Sequence, residues 1–285
     1  MFRRIIFSAG FVFLFSTISI AQTDTVRYWK TGGFTSLLFN QVSLSNWSAG
    51  GEDAISTTLL LNLYANYKKD KIVWDNSLDL GYGLMKSGGN KSRKNEDKID
   101  FVSKFGRQAF KHVYYSCLFN YRTQFTEGFN YPNDSVVVSK FNAPAYISIS
   151  LGLDFKPNDY FSLYFSPAAG KFTLVNDKVL SDAGFYGVEP GKKVRSEFGA
   201  SINVKFQKDV IKNVNVLSKL VLFNNYTDKD KSNRSNIDVN WEVMVNIKAN
   251  KYLTTSIFTN LIYDQNVIKK TQFKEVFGIG VSYKF

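Results

Sequence analysis

Long stretches of strict two-residue alternation recur along this chain. In Ile237, Val239, Trp241, Val243, Val245 and Ile247 the apolar residues share one side of an extended backbone, because successive side chains of a strand point to opposite faces. The interleaved Asp238, Asn240, Glu242, Met244, Asn246 and Lys248 make a mostly polar second side. Ala145 to Phe155 repeats the pattern against Tyr146, Ser148, Ser150, Gly152, Asp154 and Lys156, as does Val194 to Phe206 against Arg195, Glu197, Gly199, Ser201, Asn203 and Lys205. A helix would bring apolar residues back at i+3 and i+4. Strands of soluble sheets average about 5–6 residues, whereas a membrane-crossing strand needs about 9–11. The segments here are of the longer kind.

Composition agrees. Beyond the first 21 residues no apolar run reaches the ~20 residues of a membrane helix, and mean hydropathy is −0.18. Aromatics nonetheless make up 16% of the chain. A barrel reconciles the two, since lipid-facing apolar residues alternate with polar lumen residues. The expected fold is therefore an all-β, antiparallel transmembrane β-barrel of about twelve strands.

The N-terminus reads as a secretory signal. Arg3 and Arg4 precede the apolar Ile5 to Ile20, and Ser19 and Ala21 are the small residues of a cleavage site. Residues 1–21 are the expected signal peptide and 22–285 a single barrel domain. The lone cysteine, Cys117, excludes an intrachain disulfide; it falls in the apolar row Val113, Tyr115, Cys117, Phe119, Tyr121. A formal charge of +12 on an exported chain points to anionic lipid head groups and lipopolysaccharide rather than nucleic acid.

Turns come in two classes. Short ones are expected at Lys68–Lys71, near Lys111, at Lys156–Asp159, Lys208–Asn213 and Lys248–Lys251. Long loops are expected at Asn46–Asp53, Lys86–Lys98, Gly128–Asn142, Asn176–Lys193, Thr227–Ser235 and Asp264–Lys270. In outer-membrane barrels short turns and both termini face the periplasm. Trp29 to Ser45 reads either as a strand or as a segment entering the lumen. Beside the short turns lie Tyr64, Tyr67, Trp74, Phe110, Tyr114, Tyr115, Phe155, Tyr160 and Phe161, as an interfacial aromatic girdle requires.

The last strand alternates Phe277, Ile279, Val281, Tyr283 and Phe285 with Gly278, Gly280, Ser282 and Lys284. Gly280, Tyr283 and Phe285 resemble the β-signal read by the barrel assembly machinery, which this resemblance makes a partner during biogenesis. Gly278 departs from the polar residue usual at that position. Near the N-terminus, Ser43-Leu44-Ser45-Asn46-Trp47-Ser48-Ala49-Gly50-Gly51-Glu52 resembles the signature of an uncharacterised family of Bacteroidetes outer-membrane proteins bearing a domain of unknown function. The resemblance implies an outer-membrane barrel without an established activity. Asn46, Trp47, Gly50, Gly51 and Glu52 are then either a contact for a ligand or envelope partner or a tight loop with an interfacial anchor.

Catalytic chemistry is hard to build from this inventory. His112, the only histidine, lies by a short turn, away from the outer rim, so a His-dependent triad is not expected. No His/Cys cluster suits zinc, no glycine motif suits a nucleotide, and no cofactor is expected. Inward-facing candidates are Asp75, Asp79, Lys104, Arg122, Asp154, Arg195, Glu197, Lys205, Glu242 and Lys274. Their mixed signs suit either a narrow aqueous path or a filled barrel, since about twelve strands lies between the filled and the channel-forming sizes. Passive or weakly selective passage of small solutes is the leading expectation. A closed structural or partner-binding barrel acting through its outer loops is the alternative. Lys86, Lys91, Arg93, Lys94, Lys192, Lys193, Lys229, Lys231, Lys269 and Lys270 are expected in the long loops, where they could meet lipid A phosphates.

Overall fold

The computed structural model describes residues 28–44, 52–131, 133–250 and 252–285. Residues 1–21, Asn46, Trp47, Gly50 and Gly51 lie outside the described residues. In chain order the elements are β1 (Trp29–Val42), β2 (Ala54–Lys69), β3 (Ile72–Ser87), β4 (Arg93–Phe110), β5 (Val113–Thr123), β6 (Gly128–Phe129), β7 (Val137–Ser139), β8 (Ala145–Asn158), β9 (Phe161–Leu174), α1 (Lys178–Asp182), β10 (Val194–Ile211), β11 (Val214–Asn225), β12 (Ile237–Lys248), β13 (Leu253–Asp264) and β14 (Ile268–Lys284). Twelve of the strands form one closed antiparallel barrel in the ring order β1-β14-β13-β12-β11-β10-β9-β8-β5-β4-β3-β2. The short β6–β7 hairpin stands apart, inside a loop.

Four turns at one end have two residues: Asp70-Lys71, Lys111-His112, Asp159-Tyr160 and Lys212-Asn213. Asp70, His112 and Asn213 take positive φ there, the backbone that a two-residue hairpin demands and that Asn and Asp tolerate. His112 is thus a turn residue. Two expected long loops are short instead. β3 runs to Ser87 and β4 begins at Arg93, and only residues 265–267 separate β13 from β14. Lys86, Arg93, Lys94, Lys269 and Lys270 therefore belong to strands. Polar residues at the long-loop end keep the hairpins paired beyond the apolar belt, so the change from apolar to charged sequence marks the belt's edge and not the strand's. Trp29 to Val42 is a full barrel strand, paired along its whole length with β2.

Alternation puts the greasy row outside. Phe39, Leu59, Trp74, Phe105, Leu151, Phe165, Phe198, Trp241, Phe277 and Tyr283 are exposed, as is Cys117, so a barrel with this exterior is shaped for hydrocarbon rather than water. Polar groups on that face bond one another, as a lipid-facing surface requires. Trp74 Nε1 donates to Ser103 Oγ at 2.8 Å, and Ser103 Oγ donates to Asn76 Oδ1 at 2.8 Å. Trp241 Nε1 donates to Ser218 Oγ at 3.0 Å. Tyr64 and Tyr114 do not belong to the girdle. Tyr64 pairs with Gly32 and Ser77, and Tyr114 with Asp154, all on the inward phase.

The barrel closes at the β1–β14 seam, where six residue pairs run from Phe34–Lys284 to Phe39–Ile279. Gly33 N–H donates to Phe285 O at 2.9 Å and Phe285 N–H to Gly33 O at 3.1 Å. Of the assembly-signal residues, Tyr283 lies opposite Thr35 and Gly280 opposite Leu38. The unexpected Gly278 has a packing reason, since a Cβ there would sit 2.9 Å from Leu38 Cβ.

At the opposite end the loops over β5, β8, β9 and β10 build a small cap. Ala143, Val175, Leu180 and Val188 form its buried core, with Phe185 and Tyr186 packed against it. Asp177 caps α1 by accepting from Leu180 N–H at 3.0 Å, and Tyr186 Oη donates to Val138 O at 2.7 Å.

Candidate functional site: a lumen crossed by ion pairs

Neighbouring strands bring every inward candidate from the sequence to the lumen face. Their long side chains then meet across it in three layers. In the middle layer, Lys98 Nζ on β4 lies 2.8 Å from Glu242 Oε2 on β12. These strands are six steps apart in either direction around the ring, so the contact spans the full bore. Lys219 on β11 meets Asp79 on β3, the same separation, and Asn62 also bonds Asp79. Arg122 Nη2 lies 2.8 Å from Asp100 Oδ2 and 3.0 Å from Glu242 Oε1. Three acids face three bases: Asp79, Asp100 and Glu242 against Lys98, Arg122 and Lys219. The layer is electrically balanced, and Asp100 and Glu242 are buried.

Toward the long-loop end, Lys171 Nζ sits 2.6 Å from Asp238 Oδ2, 2.9 Å from Asp264 Oδ2 and 3.8 Å from Glu197 Oε2. Arg195 Nη2 is 2.9 Å from Glu197 Oε2. Gly187 of the cap lies directly over Arg195 and Asn266, for a Cβ added there would meet both. Toward the short-turn end, Lys104 Nζ lies 2.7 Å from the fully buried Asp154. Lys156 bridges Asp154, at 3.5 Å, and Asp75. Lys205 faces Lys219 and Ser162 across its two ladders, and no described acid pairs with it. Lys274 Nζ meets Glu96 Oε2 at 2.6 Å.

Sequence reasoning did not single out Glu96, Lys98, Asp100, Lys156, Lys171, Lys219, Asp238 or Asp264. All but Lys171 follow the inward alternation of their strands, which was the available signal; Lys171 lies beyond a bulge after Ser166 that flips the phase of β9. Lys98 was hidden by assigning Lys86–Lys98 to a loop. Among the described residues no group of three or more His, Cys, Asp or Glu side chains is arranged to hold a metal ion; where three carboxylates converge, the Lys171 ammonium already stands between them.

Part of the inward surface is apolar. Phe34, Leu60, Leu217, Met244, Phe258 and Val276 line a cavity of about 50 Å³, bordered by Lys98, Glu242, Lys219, Asp79 and Glu96. Polar lumen rows were expected throughout, and this wall departs from them.

Four of the loop candidates are tied down. Glu52 Oε2 accepts from Ser87 Oγ at 2.9 Å and braces the β3–β4 turn. Lys94 Nζ donates to Asp97 Oδ2 and Thr126 O, both at 2.8 Å. Lys91 pairs with Asp134 at 2.9 Å, and Lys229 with Glu189.

No curated protein matches the chain in sequence. The family described as "Protein of unknown function (DUF3078)" matches residues 39–129. Solved structures similar to this chain include an outer membrane channel from Pseudomonas putida F1, at 10% identity and TM-score 0.41, covering 93% of this chain and 98% of that one. The translocator domain of the autotransporter NalP from Neisseria meningitidis is similar at 8% identity and TM-score 0.38, covering 92% and 90%. The outer membrane channel DcaP of Acinetobacter baumannii is similar at 9% identity and TM-score 0.35, covering 90% and 97%. At such scores these likenesses add nothing to what the chain's own barrel geometry establishes.

Proposed function

We propose that this chain is an outer-membrane barrel sealed at mid-depth, acting through its capped outer end rather than as an open pore. The reading puts both termini and the two-residue turns in the periplasm and the cap outside. The observation that carries it is the Lys98–Glu242 contact across the full bore, reinforced by Lys219–Asp79 beside it. A hydrated ion would have to displace partnered charges, and leaving either partner alone in a lumen this enclosed is costly. Outer-leaflet phosphates would be met by Lys192, Lys193 and Lys231. Gly280, Tyr283 and Phe285 would serve the assembly machinery. His112 in its turn gives no footing for catalysis.

Planar-bilayer recordings of the purified chain test this. Wild type is expected to show no unitary steps, and the variant Asp79→Asn/Lys98→Met/Glu242→Gln to show them. Steady conductance from wild type overturns the reading. Passive solute passage stands second, favoured by Lys205, an unpaired cation exposed in the lumen toward the short-turn mouth.

A further inference from the structure

We propose that the lumen seats the apolar tail of a lipid-like amphiphile, admitted from the bilayer between β1 and β14. The inference rests on the membrane-spanning reading and not on occlusion. Inward positions of a water-filled barrel are ordinarily polar, yet Phe34, Leu60, Leu217, Met244, Phe258 and Val276 converge on one cavity. Apolar cavities stay dry and take apolar guests. A space of about 50 Å³ is smaller than the ~150 Å³ that admits benzene, so it suits the end of a chain rather than a ring.

Two cavity residues, Phe34 and Val276, lie on the seam strands themselves. The register between those strands ends at Phe39–Ile279, while β2 and β3 pair along sixteen residues. The phase outside the seam is hydrocarbon, flanked by Leu37, Phe39, Phe277 and Ile279. A tail leaving the bilayer therefore crosses the shortest ladder of the ring to reach the apolar wall, without entering water.

The test uses the full chain in short-chain detergent, titrated with stearic acid carrying a nitroxide near the middle of its chain, so that the methyl end is plain hydrocarbon. A saturable, immobilised nitroxide population is expected. Leu60→Trp and Val276→Trp, which fill the cavity, should each weaken binding about tenfold, whereas Val276→Ile should bind as wild type. Heat-modifiable migration on gels verifies that each variant is folded. On a Cys117→Ser background, Leu37→Cys/Val281→Cys, which are direct seam partners, should slow uptake when oxidised and recover on reduction. A wild type without saturable immobilisation overturns the seat, as do folded Trp variants that bind unchanged. Uptake indifferent to the locked seam overturns the lateral route. A wild type that conducts in bilayers yet immobilises the probe overturns occlusion alone.

Discussion

On β3, β4, β5, β8, β9 and β10 the inward rows carry Asp75, Asp79, Lys98, Asp100, Lys104, Arg122, Asp154, Lys156, Lys171, Arg195, Glu197 and Lys205. On β11 to β14, β1 and β2 they interleave Phe34, Leu38, Leu60, Leu217, Phe223, Met244, Phe258 and Val276 with uncharged polar residues such as Ser36, Thr58, Asn62, Asn240 and Ser256. Of the charges on this second wall, Lys219, Asp238, Glu242, Asp264 and Lys274 each reach an opposite charge on the other wall, while Lys248 and Lys284 stand at the short-turn rim. Charges within one wall could stay solvated in a wet bore. Charges within the bore that reach a partner across it instead pin two unlike surfaces together. The difference teaches that mixed luminal charge in a barrel of this size serves as stapling, and that the surface left over is free to be greasy.

The comparison breaks first if the staples carry no weight. Glu242→Gln removes one of the two carboxylates that Lys98 and Arg122 share, leaving both cations to Asp100. Removing one partner of an enclosed pair costs about 3–5 kcal/mol; the partial solvation of this lumen places the expected loss near the lower end. Equilibrium urea unfolding of the lipid-inserted barrel measures it. A loss below about 1 kcal/mol, the scale of a surface pair, means that Asp100 re-pairs both cations and the wall-to-wall staple is dispensable.

The apolar wall should yield less. Leu38, only 3% exposed, packs over Gly278 at the seam. Leu38→Ala is expected to cost about 2 kcal/mol, at the mild end for a packed leucine because the lumen beside it can relax. The same unfolding experiment reads it. A cost equal to that of Glu242→Gln would erase the distinction between a pinned wall and a packed one.

The sequence makes the faces visible more readily than the contacts. Alternation assigns Asp238, Asn240 and Glu242 to one side of β12 because side-chain direction is a local, two-residue property. It cannot tell that Glu242 meets Lys98, 144 residues away, because that depends on how twelve registers accumulate around the ring. The bulge between Gly83 and Leu84 illustrates the difficulty, since a single irregularity there resets the phase opposite Glu96. Tyr64 and Tyr114 look like girdle residues by proximity to turns, yet their phase turns them inward. The cap is the least legible part. Its core of Ala143, Val175, Leu180 and Val188 comes from two separate loops and has no periodicity to read.

The cap adds the finest distinction, because it stands on the charged wall's loops while the seam side has no such superstructure among the described residues. Its titratable groups bound a pH window. The Leu180 amide and Lys140 beside Asp177 hold its carboxyl below the usual range. A depressed carboxyl lends stability above its unfolded value, about 3.9, and withdraws it as pH falls through the folded value. Burial pushes the Tyr186 hydroxyl up to about 12. That contribution is complete below the unfolded value of about 10 and is lost as pH rises through the folded one. Amide protection over residues 176–193, corrected for intrinsic exchange, should therefore fall below pH ~4 and above pH ~10, while protection at Leu37–Phe39 changes little. Asp177→Asn keeps a good helix cap but loses the carboxylate charge that meets Lys140, so it should shrink the acid limb alone, leaving the share of Glu189, which Lys229 holds below its usual range. An acid limb that this substitution leaves undiminished, or one that appears equally at the seam, would mean that the staples of the lumen, and not the cap, are what acid undoes.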